Sequence, residues 1–312
     1  MKKIHSQPTF IALFVALNVT PEAFAGQVYS GVDYQYFRDF AENKGKFTPG
    51  AQNIEVVNKK GESIGTMMQN APMMDFSVVS RNGVAALVGD QYIVSVAHNV
   101  GYSSVDFGME GSNPDQHRFA YNIVKRNNYK NDSTHPYMTD YHNPRLTKFV
   151  TEAAPIEMVS NMQGSTYGDL EKYPMRVRIG SGRQVVRDAQ DNYHEISGAY
   201  NYRTAGNTFM QGWANNGEVS LSGDVRHPNQ YGPLPISGSS GDSGSPMFIY
   251  DKTAGKWLIN GVLRSGHPYE GKENTYQIAR KNYLDEIIAG DLLTVFDFIA
   301  ASYDWTADGN GS

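Results

Sequence analysis

Two short segments hold residue types that together suit nucleophilic catalysis. The first is Gly241-Asp242-Ser243-Gly244-Ser245-Pro246. A serine hydroxyl is a weak nucleophile until a base takes its proton. The oxyanion formed on attack needs backbone N–H donors beside it. Glycines on both sides of the serine let the chain turn sharply and aim those donors inward. Ser243 is therefore a candidate nucleophile, and the N–H groups of Gly241 and Ser243 are a candidate oxyanion hole. Alone, Gly-Asp-Ser-Gly fits a plain surface loop equally well, because short motifs recur by chance. The second segment is Ser95-Val96-Ala97-His98, which sets a histidine at the end of an apolar run. Such a ring can face a cleft and act as a base if a partner fixes its tautomer. Any one of the eight histidines is by default an ordinary loop residue; His98 differs because the strand pattern before it is the clearest in the chain.

A serine–histidine pair calls for an acid. Asp106, Asp115, Asp132 and Asp140 lie between the two segments. The order His, Asp, Ser is that of chymotrypsin-like enzymes, and differs from the orders of subtilisins and α/β-hydrolases. Asp140 stands at a polar-to-structured junction before Tyr141-His142-Asn143-Pro144, which ranks it only slightly above Asp132. Either carboxylate could equally be a solvated loop group.

The elements that must position these residues read as short strands. Met74–Ser80, Val84–Val88 and Tyr92–Ala97 are apolar runs separated by Asn82-Gly83 and Gly89-Asp90, the pattern of an antiparallel meander. Tyr36, Phe37 and Phe40 suit one short helix ending near Glu42–Gly45. Residues 110–145 and 206–245 read as loops, residues 173–205 as strands, and Met247–Tyr250 with Trp257–Leu263 as a hairpin. Residues 281–301 read as a closing helix or the start of a further structure. Many short strands without strand–helix alternation give an all-β class, barrel or sandwich.

Composition narrows the classes further. Lys2 and Lys3, the apolar stretch Phe10–Leu17 and Ala23-Phe24-Ala25 form the three parts of a cleaved export signal over residues 1–25, so the mature chain is expected to begin at Gly26. With no cysteine, thiol catalysis, disulfides and thiolate metal sites are excluded. A net charge of −5 argues against a nucleic-acid partner. No histidine pair has helical metal spacing and no phosphate-cradling loop is present, so neither metal nor cofactor is expected. Asn131-Asp132-Ser133 matches a glycosylation pattern without a context that gives it meaning.

SVAHN and GDSGSPMFIYD are similar to the trypsin-type pattern. The longer phrases at 33–47, 71–80, 140–158, 173–184 and 241–263 resemble the protease domain of the immunoglobulin A protease family of autotransporters, from about Tyr29 to about Gly290. The resemblance implies a chymotrypsin-like double β-barrel over residues 26–290, with the site on loops between the barrels. It implies His98 as general base, Asp140 as orienting acid and Ser243 as nucleophile. It also implies protein substrates, such as host extracellular or surface proteins or autotransporter passengers, and links to adhesion and virulence. Location would be secreted or cell-surface after periplasmic transit. Family members continue into a β-helical stalk and a membrane translocator barrel; neither lies within these 312 residues. Residues 291–312 are read as the truncated start of that stalk, in a fragment or a shortened gene. By loop position Ser237, Arg264, Ser265 and Gly266 line the primary substrate pocket, and the neutral Ser237 argues against a strong demand for Arg or Lys. Trypsin-type zymogens pair a newly cut N-terminus with the aspartate before the serine. No basic residue followed by an Ile-Val-type start lies near Ala25, so Asp242 needs another partner. Two other readings stand beside the protease: an adhesin or binding module on the same fold, and a serine esterase, whose usual Ser, Asp, His order does not fit.

Overall fold

Strand pairing begins at the N-terminal end of the described chain. The computed structural model describes residues 26–108, 119–129, 140–181, 184–196, 203–238, 241–266 and 272–302. Strand β1 (Gln27–Tyr29) leads into α1 (Tyr34–Glu42) and the hairpin β2 (Ile54–Val57) and β3 (Ser63–Met67). A five-stranded sheet follows: β4 (Ala86–Gly89), β5 (Tyr92–Val94), β6 (Ser104–Val105), β7 (Tyr121–Lys125) and β8 (Arg145–Leu146), ordered β4-β5-β8-β7-β6.

The second half comprises β9 (Met175–Gly180), β10 (Val185–Arg187), β11 (Tyr193–Glu195), β12 (Thr204–Asn207), β13 (Met210–Ala214) and β14 (Glu218–Ser222). It continues with β15 (Pro246–Asp251), β16 (Lys256–Gly266), β17 (Glu273–Ile278) and helix α2 (Lys281–Ser302). Seven of these strands form one antiparallel sheet, β12-β9-β15-β16-β17-β14-β13. The expected all-β, two-barrel class is what the chain adopts. Each sheet has its own core: Leu87, Ile93, Phe107 and Tyr121 under the first, and Phe209, Leu221, Met247 and Tyr276 under the second. A larger cluster joins them, and α1 enters it. Asp33 caps that helix by accepting the Gln35 N–H at 2.9 Å, and Asn43 ends it with φ 53°. Its buried Phe40 meets Phe47 and Phe76, and Phe76 meets Phe248 of β15.

Strand and loop expectations need correction at three places. Met74–Ser80 is not a strand. Asp75 Oδ1 accepts the Ser77 N–H at 2.8 Å and turns Phe76–Val78 into a 3₁₀ helix, leaving only Val79 bridged to Ala86. Residues 206–245 are not all loop, since β13 and β14 lie there, and neither are residues 110–145, since β7 does. The hydrophobic signal of β14 is weak because its buried Glu218 and Ser220 are satisfied by hydrogen bonds from Arg264 and to Glu273. Residues 281–302 form a helix. That is the first of the two readings given for this stretch, and the helix runs on past residue 290. Asp291 anchors the helix to the first sheet through Tyr92 (2.8 Å), Lys125 (3.1 Å) and Arg145 (3.4 Å). Residues 1–25 and 303–312, and with them the expected signal and the end of the expected stalk, lie outside the described residues.

Candidate active site

His98 and Asp140 are brought together by a bridge between Ser95, the first residue of the histidine segment, and His142. The chain continues past β5, and Ser95 pairs with His142: the Ser95 N–H donates to the His142 carbonyl at 3.2 Å and the His142 N–H to the Ser95 carbonyl at 3.1 Å. Past that bridge the chain turns, with the Asn99 N–H donating to the Val96 carbonyl at 3.2 Å, and His98 comes to lie beside Asp140. The carboxylate then holds the histidine twice. Oδ1 accepts the His98 backbone N–H at 2.8 Å, and Oδ2 lies 2.6 Å from Nδ1 of the ring.

Electrostatics follow from that contact. The hydrogen bond to Asp140 raises the His98 pKa above its ordinary value, although partial burial and the Arg264 charge oppose it. Burial pushes the Asp140 carboxyl upward, but the His98 ring and N–H outweigh it and hold the group below the usual range. The ring remains about half exposed, open to a substrate. Two residues on, His142 is fully buried between Tyr102 and Asn128, and burial pushes its pKa down to about 3.

The serine loop is fixed against both sheets. Gly244 donates to the Leu263 carbonyl at 2.8 Å, and Leu263 donates to that of Ser245 at 2.9 Å. Gly244 has φ 85°, and a Cβ there would collide with Ser95 Oγ and the Val84 carbonyl. Glycine is thus required for the loop to touch the histidine strand. Asn99 completes the junction by donating to the Ser243 carbonyl at 3.0 Å. Among the described residues, Ser243 Oγ has no hydrogen bond to His98, and the N–H groups of Gly241 and Ser243 have no protein acceptor. Serine–histidine bonds of this kind often tighten only when substrate arrives.

Asp242 is fully buried and pairs with the equally buried Arg178 at 3.0 Å. Ser237 is buried, with its backbone paired to Gln27. Asn274 Oδ1 accepts the Gly238 N–H, its Nδ2 donates to the Gly238 carbonyl, both at 2.9 Å, and a Cβ at Gly266 would meet Asn274 at 2.7 Å. Ser237–Gly238 and Gly266 are therefore neighbours. Arg264 donates to Glu218 at 2.6 Å, while Ser265 sits in the β16–β17 pairing. Asp106 is tied to Arg81 at 2.9 Å; Asp115 and Asp132, with the Asn131–Ser133 pattern, lie outside the described residues. Asn99, Arg178 and Asn274 escaped sequence reasoning. Only Arg178 left a signal, as a charge alternating within an apolar strand.

Known proteins resemble this chain. A family described as immunoglobulin A1 protease matches residues 25–282. An adhesion and penetration protein autotransporter of Haemophilus influenzae is 64% identical over 310 residues, covering 99% of this chain and 22% of the relative. An immunoglobulin A1 protease autotransporter of the same species is 36% identical, covering 97% of the chain and 21% of the relative. The chain thus spans about a fifth of the length of these relatives. The crystal structure of the Haemophilus influenzae Hap adhesin superposes with a TM-score of 0.78 at 68% identity, covering 84% of this chain and 28% of that one. With the match running through both sheets and the serine loop, the chain belongs to the immunoglobulin A1 protease family.

Proposed function

We propose that this chain is a serine endopeptidase domain that works through an acyl-enzyme. The observation that carries the reading is the double hold of Asp140 on His98, at 2.8 and 2.6 Å, beside a serine loop tied to Asn99. With Asp140 accepting a hydrogen bond from Nδ1–H, Nε2 is left to take the Ser243 proton as Oγ attacks the scissile carbonyl carbon. The N–H groups of Gly241 and Ser243 receive the oxyanion. His98 then passes its proton to the leaving amine, and water releases the acyl group by the same steps in reverse order. Ser237, Arg264, Ser265 and Gly266 line the primary pocket. The experiment is casein cleavage by purified protein: Ser243→Ala should reduce turnover about a million-fold. Unchanged cleavage by the mutant refutes the assignment.

The names of the relatives favour a second, compatible role. The protein at 64% identity is named for adhesion and penetration. We extend to this chain export through the periplasm, a place at the cell surface or beyond it, and host or passenger proteins as partners. Equal binding of host cells by the parent and the Ser243→Ala protein would separate adhesion from proteolysis; loss of binding with the hydroxyl would join them.

A further inference from the structure

We propose that Arg178 is a built-in activating partner for Asp242, a positioning residue that sets the serine loop in working form as soon as the chain folds. The inference rests on the protease reading above. In trypsin-type enzymes the carboxylate before the serine is met by an amine that only a cleavage creates. Here it is met by a guanidinium from the interior of the larger sheet. Nη2 of Arg178 lies 3.0 Å from Asp242 Oδ2 and 2.8 Å from Ser245 Oγ, so one donor group grips the loop on both sides of Ser243. The Ser245 N–H closes the same turn on the Asp242 carbonyl at 2.8 Å.

The surroundings are shaped for that group. Both side chains of the pair are fully buried. A Cβ at Gly180 would stand 2.8 Å from Arg178 Nη2 and strike the Asp242 carboxylate; one at Gly238 would stand 3.0 Å from Nη2. Two glycines therefore leave room for the guanidinium, and neither has a positive φ to explain it. Arg178 belongs to β9, paired on one side with β12 and on the other with β15, so its backbone has no freedom to withdraw. An amine titrates and arrives late; a guanidinium stays charged at any working pH. A buried carboxylate requires such a partner. It follows that the loop needs no freshly cut N-terminus. Gln27, in β1, is engaged instead with Ser237.

The test measures the rate at which a fluorophosphonate labels Ser243 in the full chain, alongside cooperative melting. Variants are Arg178→Gln, Arg178→Lys, Asp242→Asn, the double Arg178→Gln/Asp242→Asn, and a form with two extra residues before Gly26. Arg178→Gln and Asp242→Asn should each slow labelling at least about a hundredfold, the size of losing an oxyanion donor. The double variant should be no slower than the worse single, Arg178→Lys should recover at least about tenfold over the glutamine variant, and the extended form should keep the parental rate. Multiplying losses would mean that the two residues act independently and would overturn the assignment, as would a dead extended form. If Arg178→Gln does not fold, the near-isosteric Asp242→Asn decides: a folded protein labelled at the parental rate refutes the role. A parent that is not labelled at Ser243 refutes the protease reading itself, whereas an active parent with unaffected variants refutes only the Arg178 role.

Discussion

Replacing Asp140 by asparagine keeps its shape and removes one acceptor, and the structure fixes what happens next. The carboxylate now accepts from two donors, the His98 N–H at 2.8 Å and the ring at 2.6 Å. An amide has one acceptor oxygen. If that oxygen stays on the backbone N–H, the amide NH₂ faces Nδ1 and forces the ring proton onto Nε2, the atom that must accept the serine proton. If the amide flips, the NH₂ opposes the His98 N–H, leaving a donor unmatched at a cost of about 1–3 kcal/mol. The first arrangement loses the reactive tautomer, which costs on the order of ten-thousand-fold in turnover in such triads. At about 1.36 kcal/mol per tenfold, that is about 5.4 kcal/mol of barrier. The assay is kcat/KM on a peptide from casein, with melting to confirm the fold and Asp132→Asn as the comparison. Asp132→Asn should stay within about threefold of the parent, because the proposal gives Asp132 no part in the reaction. A folded Asp140→Asn within tenfold of the parent, or a crippled Asp132→Asn, refutes the assignment of the acid.

The acid limb of kcat/KM should lie above the ordinary histidine value of 6.5, since Asp140 raises His98 and only the neutral ring accepts a proton; Asp140→Asn should move the limb down. The same raised pKa favours the folded state most below pH 6.5, and that contribution fades as pH rises through the folded value. His142 has the opposite sign: its folded pKa is near 3, so urea stability should fall as pH drops from 6.5 toward 3, by up to about 1.4 kcal/mol per pH unit, and His142→Gln should flatten that slope. Gly244→Ala places a Cβ against Ser95 and Val84 at φ 85° and should lower both melting temperature and Ser243 labelling, with strain of about 1–3 kcal/mol; a variant matching the parent in both refutes the tight contact.

What could be read in advance was what local pattern controls. Helix α1 followed from Tyr36, Phe37 and Phe40, and the β15–β16 hairpin from its apolar runs. His98 and Ser243 stood out because each sits in a short motif with its own chemistry. Asp140 did not, because its place depends on the bridge between Ser95 and His142, which local sequence does not show; the family phrase supplied it. Strands β14 and β17 were hidden for a related reason. Their buried positions carry Glu218, Asn274 and Gln277, which hydrogen-bond to residues elsewhere in the fold, so hydrophobic alternation is broken where the fold is most connected. The Met74–Ser80 run misled because Asp75 offered the backbone a local alternative.

The central claim is that Ser243 is activated by His98, and peptide mapping of the fluorophosphonate-treated protein tests it most directly. The account predicts a single adduct on Ser243 in the parent and none in a folded His98→Ala protein. An unmodified Ser243, an adduct on another serine, or equal labelling without the imidazole would contradict it.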